Sequence, residues 1–264
     1  MRPPLDGVVL LTGASSGIGA AMARQLGEAH VLVLVARRKE RLDALAAELP
    51  NSEVRACDVA DLDALEALVA GIEADHGGVD VLINNAGLGD IGLTEEAPVD
   101  KLTAMVDVNV RGLTFLTRRV LTGMLERGRG GILNVSSGFG LTWLPASAAY
   151  IGTKHFVSAF SESLRSELYG TGVVVTHTCP GPVATEFESK AGNPTGMKVP
   201  ALLEISAEQC ARESLAAFRR GRPLTVPGWV AWWLISMGRL TPHWLARLLY
   251  WPLGGMLRGG ERAS

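Results

Sequence analysis

The chain has 264 residues, 47% of them hydrophobic and 20% charged, with a formal net charge of −2. That length and apolar content suit one large globular domain, and the near-neutral charge excludes a sequence-independent binder of nucleic acid, which needs a strong basic excess. Cys57, Cys179 and Cys210 are isolated and odd in number, which excludes a disulfide framework or zinc site and reads as reduced thiols of a cytoplasmic protein.

MRPPLDG passes straight into an apolar strand pattern, so no signal peptide is expected, and no run of ~18 apolar residues predicts a transmembrane span. Val8 to Leu11 predicts a first strand ending in a glycine-rich turn, followed by a helix over Ala20 to Leu26. Val31 to Val35 is a second strand, and Arg41 to Leu49 a helix with leucines at 42, 45 and 49. Val54 to Cys57 reads as strand, Leu62 to Ile72 as helix, and Val81 to Ile83 as a strand ending in Asn84-Asn85-Ala86-Gly87. A long helix from Pro98 to Leu125, a strand at Ile132 to Val135, a helix from Ala148 to Leu168 and a strand at Val173 to Thr178 continue the alternation. Glu188 to Pro200 is polar and reads as a mobile loop, and Ala207 to Arg220 as one more helix.

Strands written as unbroken apolar runs are buried on both faces, as in a parallel sheet covered by crossover helices. The expected fold is a single-domain Rossmann-type doubly wound α/β sheet of about seven strands over residues 1–225. Residues 226–264 form a hydrophobic helical extension in which Trp229, Trp232, Trp233, Trp244 and Trp251 alternate with Arg239, Arg247 and Arg258.

Thr12-Gly13-Ala14-Ser15-Ser16-Gly17-Ile18-Gly19 lies between the first strand and the first helix. Glycines at this place let the backbone approach a pyrophosphate, and the helix start offers free N–H groups to it. Gly13, Ser15, Ser16, Gly17, Ile18 and Gly19 are therefore the expected phosphate cradle. An NAD-binding turn of this kind is followed ~20 residues on by an acid for the ribose hydroxyls. Here the second strand ends in Arg37-Arg38, whose guanidinium forks suit a 2′-phosphate. NADP(H) is the expected cofactor, with Arg37 the first choice of ligand and Arg38 the second.

Tyr150 and Lys154 stand four apart in a helical segment and share a face. An ammonium beside a phenol favours the phenolate and lowers a pKa that is ~10 in isolation, which lets Tyr150 exchange a proton with an alcohol or carbonyl. Ser137, at the end of a predicted strand, lies where open α/β sheets bind ligands and can polarise the substrate oxygen. His177, in an apolar strand, reads as a packed core residue, and nothing near Cys179 points to an activated thiolate.

Thr12-Gly13-x-x-x-Gly17-x-Gly19, Asn84-Asn85-Ala86-Gly87, Asn109, Ser137, Tyr150-x-x-x-Lys154 and Pro180-Gly181 occur in the order and spacing of the short-chain dehydrogenase/reductase family, which the chain resembles over about residues 6 to 187. The resemblance implies Tyr150 as general acid/base, Lys154 as its modulator and ribose ligand, and Ser137 as orienter of the carbonyl. It also implies Asn109 holding a water in a proton relay, Asn85, Ala86 and Gly87 along the adenosine ribose, and Asp58 and Val59 at the adenine. Pro180, Gly181, Val183 and Thr185 would border the nicotinamide.

The substrate region offers Phe139, Trp143 and Phe187 as pocket residues, with Leu141, Leu144, Met197, Val199, Leu202 and Leu203 nearby. An apolar pocket of this kind points to a hydrophobic ketone, aldehyde or β-ketoacyl substrate. The rival readings are a nucleotide-binding redox sensor or scaffold without turnover, and a lipid-binding protein acting through its tail. The resemblance implies a homo-oligomer, dimer or tetramer. For the extension two readings stay open: packing on the fold or across a subunit interface, or lying on a membrane surface.

Overall fold

In a computed structural model of the chain, which describes residues 3–4, 7–26, 31–191, 200 and 202–259, the apolar runs form strands covered on both sides. Val8–Thr12 (β1), Gly17–Leu26 (α1), Val31–Ala36 (β2), Lys39–Ala46 (α2), Ser52–Ala56 (β3), Leu62–His76 (α3) and Val81–Asn84 (β4) make the first half. Val99–Val106 (α4), Leu113–Glu126 (α5), Gly130–Val135 (β5), Ala148–Glu167 (α6) and Val173–Thr178 (β6) continue it. Val183–Ala184 (β7), Glu186–Ala191 (α7), Ile205–Ser206 (β8), Ala207–Arg219 (α8), Leu224–Thr225 (β9), Trp229–Leu240 (α9) and His243–Gly259 (α10) follow.

Seven strands pair in parallel in the order β3-β2-β1-β4-β5-β6-β9, and β7 pairs with β8 apart from them. Alternate side chains point to opposite faces of a strand, so each apolar run feeds two cores. Val9 and Leu11 pack with Met22 and Leu26 of α1 and Leu215 and Phe218 of α8. Leu10, Val33 and Val35 pack with Leu65 and Val69 of α3, Val120 of α5 and Leu164 of α6. Strand order reverses between β1 and β4, whose register sets Leu11 against Ile83. A doubly wound sheet binds ligands at the carboxyl ends of such a switch point, which here places Thr12 beside Asn84.

Three elements differ from the sequence expectation. The helix expected over Pro98 to Leu125 contains a π-helical turn at Asp107–Gly112, between α4 and α5. Two close contacts coincide with it: a Cβ on Gly112 would lie 2.1 Å from Val59 O, and the Asn109 side chain bonds the Leu88 backbone. The third strand begins at Ser52 because its register against β2 runs from Leu32↔Ser52 to Ala36↔Ala56. Of the loop expected over 188–200, residues up to 191 belong to α7, and 192–199, with Met197 and Val199, lie outside the described residues. No helix among the described residues is long and apolar enough to cross a membrane.

Candidate active site

The glycine-rich turn is shaped by contacts that exclude side chains. Gly13 and Gly17 have φ of +67° and +54°, a region that favours glycine. A Cβ on Gly19 would fall 2.3 Å from Gly13 O and 2.5 Å from Asn85 Nδ2, so the start of α1 packs backbone to backbone on the turn. Asn85 ties β1 to β4 by donating from Nδ2 to Thr12 O and Gly13 O at 3.0 and 3.1 Å. Thr12 Oγ1 accepts from the Asn85 and Ala86 amides at 3.0 and 3.1 Å. Ile18 and Val183 pack around the turn in the core that holds α1. Thr185 Cγ2 would lie 3.1 Å from a Cβ on Gly17.

Arg38, not Arg37, sits on this turn. Its Nη2 donates to Ser15 Oγ and Ser16 Oγ, both at 3.0 Å, while Nη1 bonds Glu186 at 3.3 Å. Arg41 bonds the other oxygen of Glu186 at 2.7 Å. Arg37 is exposed and pairs with Asp58 at 3.6 Å. Arg38 heads α2 and reaches back across the loop, whereas Arg37 turns toward Asp58. A glycine-shaped cradle at a helix start, roofed by a guanidinium, fits a phosphorylated dinucleotide.

Ser137 and Tyr150 come together across the ends of β5 and α6, near enough for the serine hydroxyl to favour the phenolate. Ser137 Oγ also accepts from Phe139 N at 3.2 Å, closing a short turn. Lys154 is buried one helical turn after Tyr150, with Nζ donating to Val135 O at 3.0 Å and lying 5.8 Å from the centre of the phenol ring. Burial pushes Tyr150 up to about 12, the neighbouring Ser137 hydroxyl offsetting only part of this. Burial likewise pushes Lys154 down to about 8. Desolvation disfavours the charged form of each.

Asn109 lies in the π-helical turn with both ends of its amide occupied. Oδ1 accepts from Leu88 N at 2.8 Å, and Nδ2 donates to Leu88 O at 2.8 Å and to Thr153 Oγ1 at 3.0 Å. The side chain thus holds the segment after β4 against α6. A Cβ on Gly87 would be 3.4 Å from both Asn109 Oδ1 and Lys154 Nζ. Asp58 Oδ1 accepts from Ala60 N at 3.0 Å, and Val59 is buried beneath the π-helical turn. Burial pushes the Cys179 thiol up to about 11, the behaviour of an inert core thiol. His177 is buried and its pKa is lowered by that burial.

Residues 7–195 match the family model described as short chain dehydrogenase. The chain belongs to this family. It is similar to the NADP-dependent 3-hydroxy acid dehydrogenase of Salmonella typhi, 43% identical over 187 residues that cover 69% of this chain and 75% of the relative. A short-chain dehydrogenase from Sphingobium yanoikuyae in complex with NADPH superposes with a TM-score of 0.78 at 31% identity, covering 88% of this chain and 92% of that one. An actinorhodin polyketide ketoreductase with NADPH gives 0.76 at 30% identity, covering 87% and 97%.

Around the phenol this short-chain dehydrogenase builds an aromatic wall. Tyr150 meets Phe139 edge-on at 6.4 Å and Phe187 at 5.7 Å. Phe187 is seated on Gly89, where a Cβ would be 2.4 Å from the ring. Trp143 instead packs edge-on against Tyr250 of α10 at 5.0 Å. Pro180 O accepts from Gly138 N at 2.7 Å, locking the two turns that flank the site. Sequence reasoning missed several contributors. Glu186 follows Thr185, the last residue expected at the nicotinamide, which is a usable signal; Ala231 and Ile235 reach the site only through the fold. A Cβ on Gly138 would be 2.5 Å from Ile235 Cδ1, and one on Gly181 2.8 Å from Ala231 Cβ. The helical extension therefore packs onto both turns.

Proposed function

We propose that this short-chain dehydrogenase reduces the carbonyl of a hydrophobic ketone, aldehyde or β-ketoacyl compound, with NADP(H) as cofactor. Buried Tyr150, with Ser137 beside it and buried Lys154 one helical turn on, supports this reading most directly. Gly13, Ser15, Ser16, Gly17, Ile18 and Gly19 would hold the pyrophosphate, and Arg38, with Arg37 and Arg41 outside it, the 2′-phosphate. Asp58, Val59, Asn85, Ala86 and Gly87 would border the adenosine, and Pro180, Gly181, Val183 and Thr185 the nicotinamide. When bound, the nicotinamide supplies or accepts the hydride.

Ser137 Oγ hydrogen-bonds the carbonyl oxygen, and Tyr150 Oη gives that oxygen its proton as the alcohol forms. A phenol held protonated by burial is suited to this acid role. Lys154, depressed to about 8, can return a proton to Tyr150 near neutral pH. Asn109 positions α6 and the segment at Leu88 around them. Phe139 and Phe187 exclude water and favour apolar substituents.

Residues 1–225 carry catalysis and cofactor binding, and 226–264 extend the fold. The stacked pair Phe156–Phe160 on α6, with Phe156 partly exposed, supports a homo-oligomer formed through that helix. Three free cysteines support a cytoplasmic enzyme, and the Trp-rich extension supports a peripheral membrane contact. A panel of apolar ketones, aldehydes, β-ketoacyl thioesters and oxo-steroids with NADPH and NADH tests the reading. Turnover with NADPH well above NADH is expected; demonstrated NADPH binding without turnover of any of these would favour a redox sensor.

A further inference from the structure

Helix α9 is built inside out. At ~100° per residue, Ala231, Ile235 and Gly238 form its inward stripe, packed on Gly181, Gly138 and Thr142. The opposite stripe should be polar on a surface helix. Here it carries Trp229, Trp233, Met237 and Leu240, each more than half exposed. Trp244 and Trp251 of α10 extend the exposed apolar surface. Because the inward stripe is fixed to the catalytic turns, rotating the helix cannot bury the tryptophans.

Beside this stripe lies a cavity of about 390 Å³ between α8 and α9, lined by Arg220, Arg222, Arg239, Trp232 and Ser236. Glu213 is also on its wall, but its carboxylate accepts from Gly228 N and Gln209 Nε2, both at 2.9 Å. None of the three arginines has an ion-pair partner among the described residues. Residues 214–260 contain six arginines and no Asp or Glu. Two copies of this face would set positive charge against positive charge, whereas an anionic lipid surface complements it. Tryptophan prefers the bilayer interface, and guanidinium forks suit phosphate oxygens.

We propose that α9 and α10 dock on an anionic bilayer and that Arg220, Arg222 and Arg239 hold the phosphate of one lipid headgroup. This rests on the peripheral-membrane reading of the extension and adds a defined headgroup site to it.

The test is flotation of the full chain with vesicles of phosphatidylcholine alone and of phosphatidylcholine with phosphatidylglycerol, for wild type, the triple variant Arg220→Gln/Arg222→Gln/Arg239→Gln, and Trp229→Ser/Trp233→Ser. NADPH binding serves as the folding control. Wild type is expected to float with the anionic vesicles and far less with the neutral ones. The arginine variant should bind anionic vesicles about a hundredfold more weakly, and the tryptophan variant should lose its interfacial blue shift in fluorescence.

Equal flotation on both vesicles, or an unaffected arginine variant, would overturn the headgroup site and leave the membrane reading standing. No flotation on any vesicle would overturn both. If calorimetry then detected sn-glycerol 3-phosphate, the pocket would serve a soluble phosphate instead. If the tryptophan variant split an oligomer, a second copy would cover the face.

Discussion

Arg38→Ala tests which guanidinium selects the cofactor. Arg38 already spans Ser15, Ser16 and Glu186 with bonds of 3.0 to 3.3 Å, so its fork is held over the cradle before a 2′-phosphate arrives. Hydrogen bonds to charged groups contribute about 1.5–3 kcal/mol. The side chain is 36% exposed, so solvent screening argues for the lower end, about 1.5–2 kcal/mol. That is about a ten- to thirtyfold rise in the Kd of NADPH. NADH lacks the 2′-phosphate, and its Kd should change less than about twofold. Titrating the fluorescence of each reduced nucleotide against wild type, Arg38→Ala and Arg37→Ala reads this directly. Arg37→Ala should have the smaller effect, because Arg37 is exposed and turned toward Asp58. Equal losses for NADPH and NADH in Arg38→Ala, or a larger NADPH loss in Arg37→Ala, would refute the reasoning.

Two further outcomes follow from contacts and burial. Gly19→Ala places a Cβ against Gly13 O and Asn85 Nδ2; it should cost about 1–3 kcal/mol of stability and abolish NADPH binding, seen as a lower Tm and a flat titration. Lys154 has its folded pKa depressed from 10.5 to about 8 by burial, so its contribution to stability is present above 10.5 and lost as pH falls through 8. Urea unfolding of wild type and Lys154→Met should therefore show wild type gaining relative stability as pH rises from 8 towards 10; a constant difference would mean that the amine is not desolvated in the fold.

Much of the architecture is written in the chain because parallel strands buried on both faces need unbroken apolar runs, and Val8–Leu11, Val31–Val35 and Val81–Ile83 supply them. Tyr150, Lys154 and Ser137 are legible because each sits at a strand end or on one helix face, where spacing alone fixes direction. Which of Arg37 and Arg38 lies on the glycine-rich turn is not, since adjacent residues at a strand end diverge and only the turn into α2 decides which reaches Ser15. The π-helical turn at Asn109 depends on contacts with Leu88 and Val59, far away in sequence. The upward shift of Tyr150 depends on how deeply the phenol is buried, which spacing to Lys154 does not reveal. The packing of Ile235 on Gly138 is likewise a tertiary fact, and 192–199 lie outside the described residues.

The proposed role of Tyr150 as proton donor in an NADPH-dependent carbonyl reduction is tested most directly by removing its hydroxyl. Wild type and Tyr150→Phe should be compared side by side, following the loss of reduced-nicotinamide absorbance with a turned-over ketone and NADPH binding by fluorescence. Tyr150→Phe should lower kcat by roughly a hundredfold or more while its Kd for NADPH stays within about twofold of wild type. A variant that turns over at the wild-type rate would contradict that role.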